Sequence, residues 1–222
     1  MSAGQEARLA AWSRLHPGID PHTGVVGGWL RMVDRLSGPL AARRVPPDAI
    51  TLLGLGCAAG ATAAAATGAP RRGIAVAGLV GLSAVLDGLD GAVAVRTDRV
   101  TERGARLDTA ADRLGEACFG AALALLGAPR WLAAAGVGAG WLLEGVRHRW
   151  RGSGRTDVVT VTVGERPTRV AVTAMFGLGV GVLAGSTTWL DPALWASLGA
   201  AALVVAGLVG TVQLAAARRR LG

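Results

Sequence analysis

Four carboxylates are the part of this sequence best suited to chemistry. Asp87 and Asp90 stand three residues apart, and Asp108 and Asp112 four apart. Each spacing puts its pair on one face of a helix. Uncharged apolar sequence leads into the first pair over 73–86 and away from the second over 117–127. Two helices joined by the Arg-rich segment between the pairs would gather the four acids near a membrane surface. Carboxylates at close range repel one another unless a cation sits between them. A ligand set made only of oxygen suits a hard cation such as Mg²⁺ or Mn²⁺. Acids at membrane depth are expensive, which favours a functional role for them over a structural one.

The elements that must position these acids follow from the apolar pattern. The chain has 222 residues, 51% of them hydrophobic. Residues 49–70, 131–143, 170–190 and 192–217 form runs without a charge. A helix needs roughly 20 apolar residues to cross the hydrocarbon. The pattern predicts an all-α integral membrane bundle of six spans, at about 49–68, 73–95, 107–127, 131–149, 168–187 and 191–216. Many of these residues are Ala and Gly, which let helices approach closely in a bilayer. An Ala-rich soluble bundle is the alternative reading.

Ahead of the spans, 1–26 is expected to be a flexible tail, with His16 and His22 as solvated loop residues. It has no long apolar core of the kind a cleavable signal peptide carries. Residues 27–44 are expected to form a juxtamembrane amphipathic helix. Trp29, Met32, Val33, Leu36 and Leu40 share one side, with Arg31, Asp34 and Arg35 on the other. The six-helix domain then occupies 45–222. Asp48, following Pro46 and Pro47, is placed to cap its first helix.

The formal charge is +8, and every basic residue other than His is Arg. These Arg cluster beside the apolar runs, as juxtamembrane charges do, rather than in a nucleic-acid motif. The short connections 68–72, 128–130 and 187–190 hold Arg71, Arg72 and Arg130, whereas the opposite-side segments hold far more. The positive-inside rule therefore predicts a multi-pass protein of the cytoplasmic membrane, with both termini and the Asp cluster on the cytoplasmic side. Cys57 and Cys118 fall inside predicted spans as small core residues. No Walker loop, HExxH or GxSxG is present.

The stretch from Asp87 to Asp112 resembles the signature of the CDP-alcohol phosphotransferase family, D-x2-D-G-x2-A-R-x8-G-x3-D-x3-D. Asp87, Asp90, Gly91, Ala94, Gly104, Asp108 and Asp112 match at the family spacing. Val95 stands where the family has Arg, with Arg96 one place later. The approach to the first span, V-P-P-D-A-I-T, is similar to the family's Pro-Asn/Asp-x-x-Thr pattern. The resemblance implies that Asp87, Asp90 and Asp108 ligate metal. It implies that Asp112 completes the metal site and acts as general base on the acceptor hydroxyl. Gly91, Ala94, Thr101, Gly104 and Thr51 become candidates for contact with the CDP donor. For the glycines, tight helix packing is the competing role.

A basic segment lies between the fourth and fifth spans. Its G-E-R-P-T-R portion, 164–169, resembles an E-R-x-x-R segment of phosphatidylinositol-phosphate synthases within the family. Arg166, Arg169, Arg147 and Arg149 are therefore candidates to bind an acceptor phosphate, because Arg forks match phosphate geometry. An ordinary cytoplasmic basic loop is the alternative, and His148 is expected to be a loop residue.

The activity implied is metal-dependent transfer of a phosphatidyl group from a CDP-alcohol, with CDP-diacylglycerol the expected donor. A polar alcohol is the acceptor, and CMP is released. The expected cofactors are two Mg²⁺ or Mn²⁺ ions. Expected partners are the lipid bilayer and, because the family often forms homodimers, a second copy of the chain; nucleic acid is not one. Two alternatives stand beside this reading. A catalytically altered CDP-lipid-binding relative would bind the donor without releasing CMP. An ion transporter would line a path through the membrane with its acids, whereas these acids group near one face.

Overall fold

The computed structural model describes residues 24–152, 161–184 and 191–221. The tail expected over 1–26, with His16 and His22, lies outside them apart from its last three residues. The 187–190 turn and much of the basic segment, 153–160, also lie outside. The described residues form helices and no strand: α1 Gly24–Ala42, α2 Pro47–Ala66, α3 Arg72–Arg96, α4 Glu102–Leu125, α5 Arg130–Gly152, α6 Arg166–Leu183 and α7 Pro192–Leu221. The last six correspond one for one to the expected spans. Three of them, α2, α3 and α7, are long and apolar enough to cross a membrane. Charged residues in α4, α5 and α6 make those helices less apolar. Exposed side chains on the three apolar helices include Leu53, Ile74, Leu82, Val205 and Val212, an exterior suited to lipid.

Helix boundaries follow local chemistry. Pro47 opens α2, so Asp48 lies inside the first turn instead of capping it. Proline is well suited to that first position because its missing N–H would have no helical partner. The helix α4 begins at Glu102, five residues before the expected span, because Thr101 caps it. The Gly104 N–H donates to Thr101 Oγ1 at 3.0 Å. Asp98 adopts φ 52°, and the Arg99 N–H reaches back 2.9 Å to the Ala94 carbonyl. That left-handed closure stops α3 at Arg96.

The chain divides into two compact units. In the first, comprising the described residues up to Leu52 and Val85–Asp108, the core is Val33, Ile50, Leu89 and Val93. The amphipathic pattern of α1 is realised with a shift. Val33 and Ser37 are buried, while Trp29 and Leu36, assigned to the same stripe, are exposed. Ser37 satisfies its hydroxyl locally by donating 3.1 Å to the Asp34 carbonyl, so a polar residue can occupy the buried position.

The second unit, Leu53–Ala84 and Thr109–Gly222, has a core rich in small residues. Ala58, Ala61, Val76, Val80, Phe119, Leu123, Ala196 and Ala200 are among its buried members. Backbones approach closely where Gly allows it. A Cβ on Gly73 of α3 would lie 2.2 Å from the Gly177 carbonyl oxygen of α6. Thr62 of α2 donates 2.9 Å to the Cys118 carbonyl of α4. Cys57 is buried, Cys118 is half-buried, and both are free thiols.

Candidate active site

Within the first unit, α3 carries Asp87 and Asp90, while α4 carries Asp108. Carboxylate oxygens of Asp87 and Asp108 lie within 4.8 Å of one another. Asp90 is 6% exposed. Thr51 Oγ1 donates to its Oδ2 at 2.6 Å, and the Gly91 N–H donates to its Oδ1 at the same distance. Thr51 is itself buried. The structure thus gives Thr51 a direct bond to a motif acid, a relationship that its place in the approach to α2 did not reveal. Asp112 follows one helical turn later on α4, in the second unit. Asp87 and Asp108 offer hard oxygen donors at a spacing that one cation can bridge.

Around the acids, Gly91 is exposed, and a Cβ there would meet nothing within 4 Å. Ala94 is half-buried. At Gly104, a Cβ would lie 3.2 Å from Thr101 Oγ1 and 3.6 Å from Asp48 Oδ1. Asp48 is therefore a further acid close to the α4 N-terminus. Val95, at the family's Arg position, is exposed. Arg96 ends α3, but its guanidinium is tied to α1: Nη2 lies 2.5 Å from Asp34 Oδ1 and donates to the Asp34 carbonyl at 2.8 Å.

The second unit holds a cavity of about 500 Å³ walled by α4, α5 and α6. Asp112 lines it, together with Arg147, His148, Arg166 and Arg169. Arg149 is exposed and is not among the lining residues. Two ion pairs connect α4 to α6. Arg166 Nη1 lies 2.7 Å from Asp112 Oδ1. One turn further along both helices, Arg169 Nη2 pairs with Glu116 Oε1.

The second pair is deeper than the first. Arg169 and Glu116 are each 5% exposed. Arg169 also meets Glu144 at 3.4 Å and donates to the Gly164 carbonyl. Gly140 makes room for it, since a Cβ there would lie 3.1 Å from Arg169 Cδ. Arg147 pairs with Glu165 at 2.5 Å, and Glu165 also accepts from the Thr162 N–H and hydroxyl at 2.9 Å each. Glu116, Glu144 and Glu165 were not among the expected site residues. For Glu116 a signal existed: it continues the four-residue spacing of Asp108 and Asp112.

Comparison with known proteins places this geometry in context. The sequence pattern of the CDP-alcohol phosphatidyltransferase family matches residues 44–213. A comparison with curated proteins finds no match. Similar solved structures include the phosphatidylinositol phosphate synthase of Mycobacterium tuberculosis in complex with manganese and citrate. That structure has 26% identity and a TM-score of 0.62, with 83% of this chain and 88% of the other covered. The same enzyme with CDP-DAG bound also has 26% identity and a TM-score of 0.62, covering 84% and 93% of the respective chains. Its apo form has a TM-score of 0.59, with 82% and 94% covered. The motif acids, their placement on α3 and α4, and a match over most of the chain converge: this protein belongs to the CDP-alcohol phosphatidyltransferase family.

Proposed function

We propose that the protein transfers a phosphatidyl group from CDP-diacylglycerol to a polar alcohol that carries a phosphate, releasing CMP. The observation that carries this reading is the approach of Asp87 to Asp108, with the motif acids Asp90 and Asp112 beside them in sequence. Such an all-oxygen donor set fits hard divalent cations. Asp87, Asp90, Asp108 and Asp112 would hold two Mg²⁺ or Mn²⁺ ions. When bound, these ions would neutralise the donor pyrophosphate and the departing CMP. The CDP-DAG complex and the manganese complex of the mycobacterial enzyme support the same choice of donor and metal.

The roles of the chain's own residues follow. Thr51 fixes the Asp90 carboxylate. Gly91, Ala94 and Gly104 keep the helix backbones accessible to the nucleotide, and Thr101 orders the α4 N-terminus beside them. Asp112 takes the proton of the acceptor hydroxyl. The hydroxyl oxygen attacks the phosphorus bonded to diacylglycerol, and the bond from that phosphorus to CMP breaks. Arg166 meets the acceptor phosphate, while Arg147 and Arg169 shape the cavity wall. Arg149 contributes charge from outside that wall. The six helices α2–α7 span the cytoplasmic membrane with both termini inside, and α1 lies in the interface.

The test is CMP release by the purified protein with CDP-diacylglycerol, Mg²⁺ or Mn²⁺ and a panel of polar alcohols with and without phosphate. Metal-dependent release that rises with a phosphorylated alcohol is expected. No release with any member of the panel would overturn the proposal.

A further inference from the structure

A groove of about 370 Å³ runs between α4 and α5 within the second unit. Its walls are small and apolar: Ala121 and Ala124 on α4, Ala134 and Gly138 on α5. Arg130, the first residue of α5, is the one charged side chain among the described residues that line it. Trp141 lines its far end and also the cavity that Asp112 lines.

The two ends of the groove suit different chemistry. Arg130 is exposed and has no hydrogen-bond or ion-pair partner among the described residues. Arg72 adds a second cation nearby, since its Nη2 donates 3.4 Å to the Leu125 carbonyl where α4 ends. Asp191 is brought toward this end by the close approach of Ala193 to Gly127, but it is engaged in capping α7: its Oδ1 accepts from the Ala193 N–H at 2.9 Å. Trp131, beside Arg130, is exposed, and such an indole suits the level of lipid headgroups. From Arg130 to Trp141 the helix rises roughly 16 Å. That is about half the hydrocarbon thickness of a bilayer, the depth of one leaflet. A cation at the mouth of an apolar trough one leaflet deep matches a phospholipid, headgroup above and chain below.

We propose that this groove binds one anionic phospholipid, with its headgroup at Arg130 and an acyl chain lying along α5 to Trp141. The inference rests on the reading of α4 and α5 as membrane spans, and not on the reaction. A second copy of the chain fits less well. A two-fold contact would set the same face against itself and bring Arg130 toward Arg130. A trough facing its own copy would also leave its volume unfilled, whereas an acyl chain fills it. The bound lipid fastens α4 to α5 on the outside of the bundle, beside the wall of the reactive cavity.

The experiment is native mass spectrometry of the full chain in detergent, titrated with phosphatidylglycerol or with phosphatidylcholine of the same acyl chains. Wild type is expected to retain one phosphatidylglycerol at concentrations where phosphatidylcholine is not retained. Arg130→Gln should bind phosphatidylglycerol about five-fold more weakly, the usual contribution of one Arg to an anionic lipid. Gly138→Leu should lose retention of the lipid, because its side chain occupies the trough. The fold has room for it, since a Cβ at Gly138 meets nothing within 4 Å. If that variant does not fold, Ala121→Leu fills the same trough from α4.

Equal retention of the two lipids by wild type overturns the proposal, as does unchanged retention in both Arg130→Gln and Gly138→Leu. A lipid-free dimer that Gly138→Leu splits would assign the groove to a second copy and overturn it too. No turnover is measured, so the outcome is independent of CMP release. A cytoplasmic signal from a reporter in the 187–190 turn would overturn the span reading and this inference with it. With the spans upheld, failure to retain lipid defeats the groove assignment alone.

Discussion

Arg166 Nη1 lies 2.7 Å from Asp112 Oδ1, so a motif acid and an arginine of the basic segment meet in one ion pair. The acid cluster and the basic segment, separate features of the sequence, therefore share a side-chain contact. On the proposed roles, it joins the base to the acceptor-binding arginine, and it sets the first prediction.

Asp112→Asn should lower turnover by about 10²–10⁴-fold, the usual loss when general-base help is removed. Metal and donor binding should be largely retained. Asp90→Asn should instead weaken both, because its carboxylate is assigned as a ligand. Mn²⁺ and CDP-donor titrations, run alongside CMP release, check the contrast. Equal loss of donor binding in both variants would remove the distinction.

Thr51→Val should weaken Mn²⁺ binding by about 10–100-fold, as loss of a group that orients a metal ligand does. The 2.6 Å bond to Asp90 is the cause. Thr51→Ser keeps the hydroxyl and should remain close to wild type in a Mn²⁺ titration followed by electron paramagnetic resonance. Identical affinities for the two variants would show that the hydroxyl is not what matters.

Glu116→Ala should destabilise the protein by about 3–5 kcal/mol, because it removes the carboxylate facing a buried guanidinium. The loss should be evident as a lower unfolding temperature in detergent. A stability within about 1 kcal/mol of wild type would mean that Glu144 and the Gly164 carbonyl suffice to hold Arg169.

Gly73→Ala and Gly78→Ala form a matched pair within α3. A Cβ at Gly73 would lie 2.2 Å from a backbone oxygen, whereas one at Gly78 meets nothing within 4 Å. The first substitution should lower thermal stability by several degrees. The second should be neutral or stabilising, because Ala is favoured over Gly inside a helix by about 0.5–1 kcal/mol. Equal unfolding temperatures would contradict the close approach of α3 and α6.

Reporter fusions test the six-span proposal. A fusion at Gly222 should report the cytoplasm, and one in the 187–190 turn should report the opposite side. A cytoplasmic signal from the turn would require a different topology.

Six helices were legible in the sequence because long uncharged runs have few other folded forms. The acid motif was legible because three- and four-residue spacings define a helix face without any tertiary information. Local polar chemistry hid the exact boundaries. The Thr101 cap extends α4 through polar residues that carry no apolar signal. Long-range pairings were not legible. Thr51 and Asp90 are 39 residues apart, and Arg169 and Glu116 are 53 apart. Nothing in either segment alone specifies its partner. Arg96 was readable as a displaced substitute for the family Arg, yet only the fold shows its guanidinium tied to Asp34.

The buried Glu116–Arg169 pair also has a consequence for biogenesis. During synthesis, Glu116 emerges 53 residues ahead of the arginine that neutralises it. At roughly 5–20 residues per second, the delay is about 3–10 s. Over that interval α4 carries a carboxylate that lipid would solvate poorly, and α6 later arrives with an equally unwelcome cation. On the six-span proposal, neither helix is well suited to enter the bilayer alone. Under that proposal they are expected to enter the bilayer together, paired, instead of one after the other. Removing the charge from Glu116 alone should let α4 enter early and strand Arg169, so its first defect would be in insertion yield, before any enzyme exists to assay.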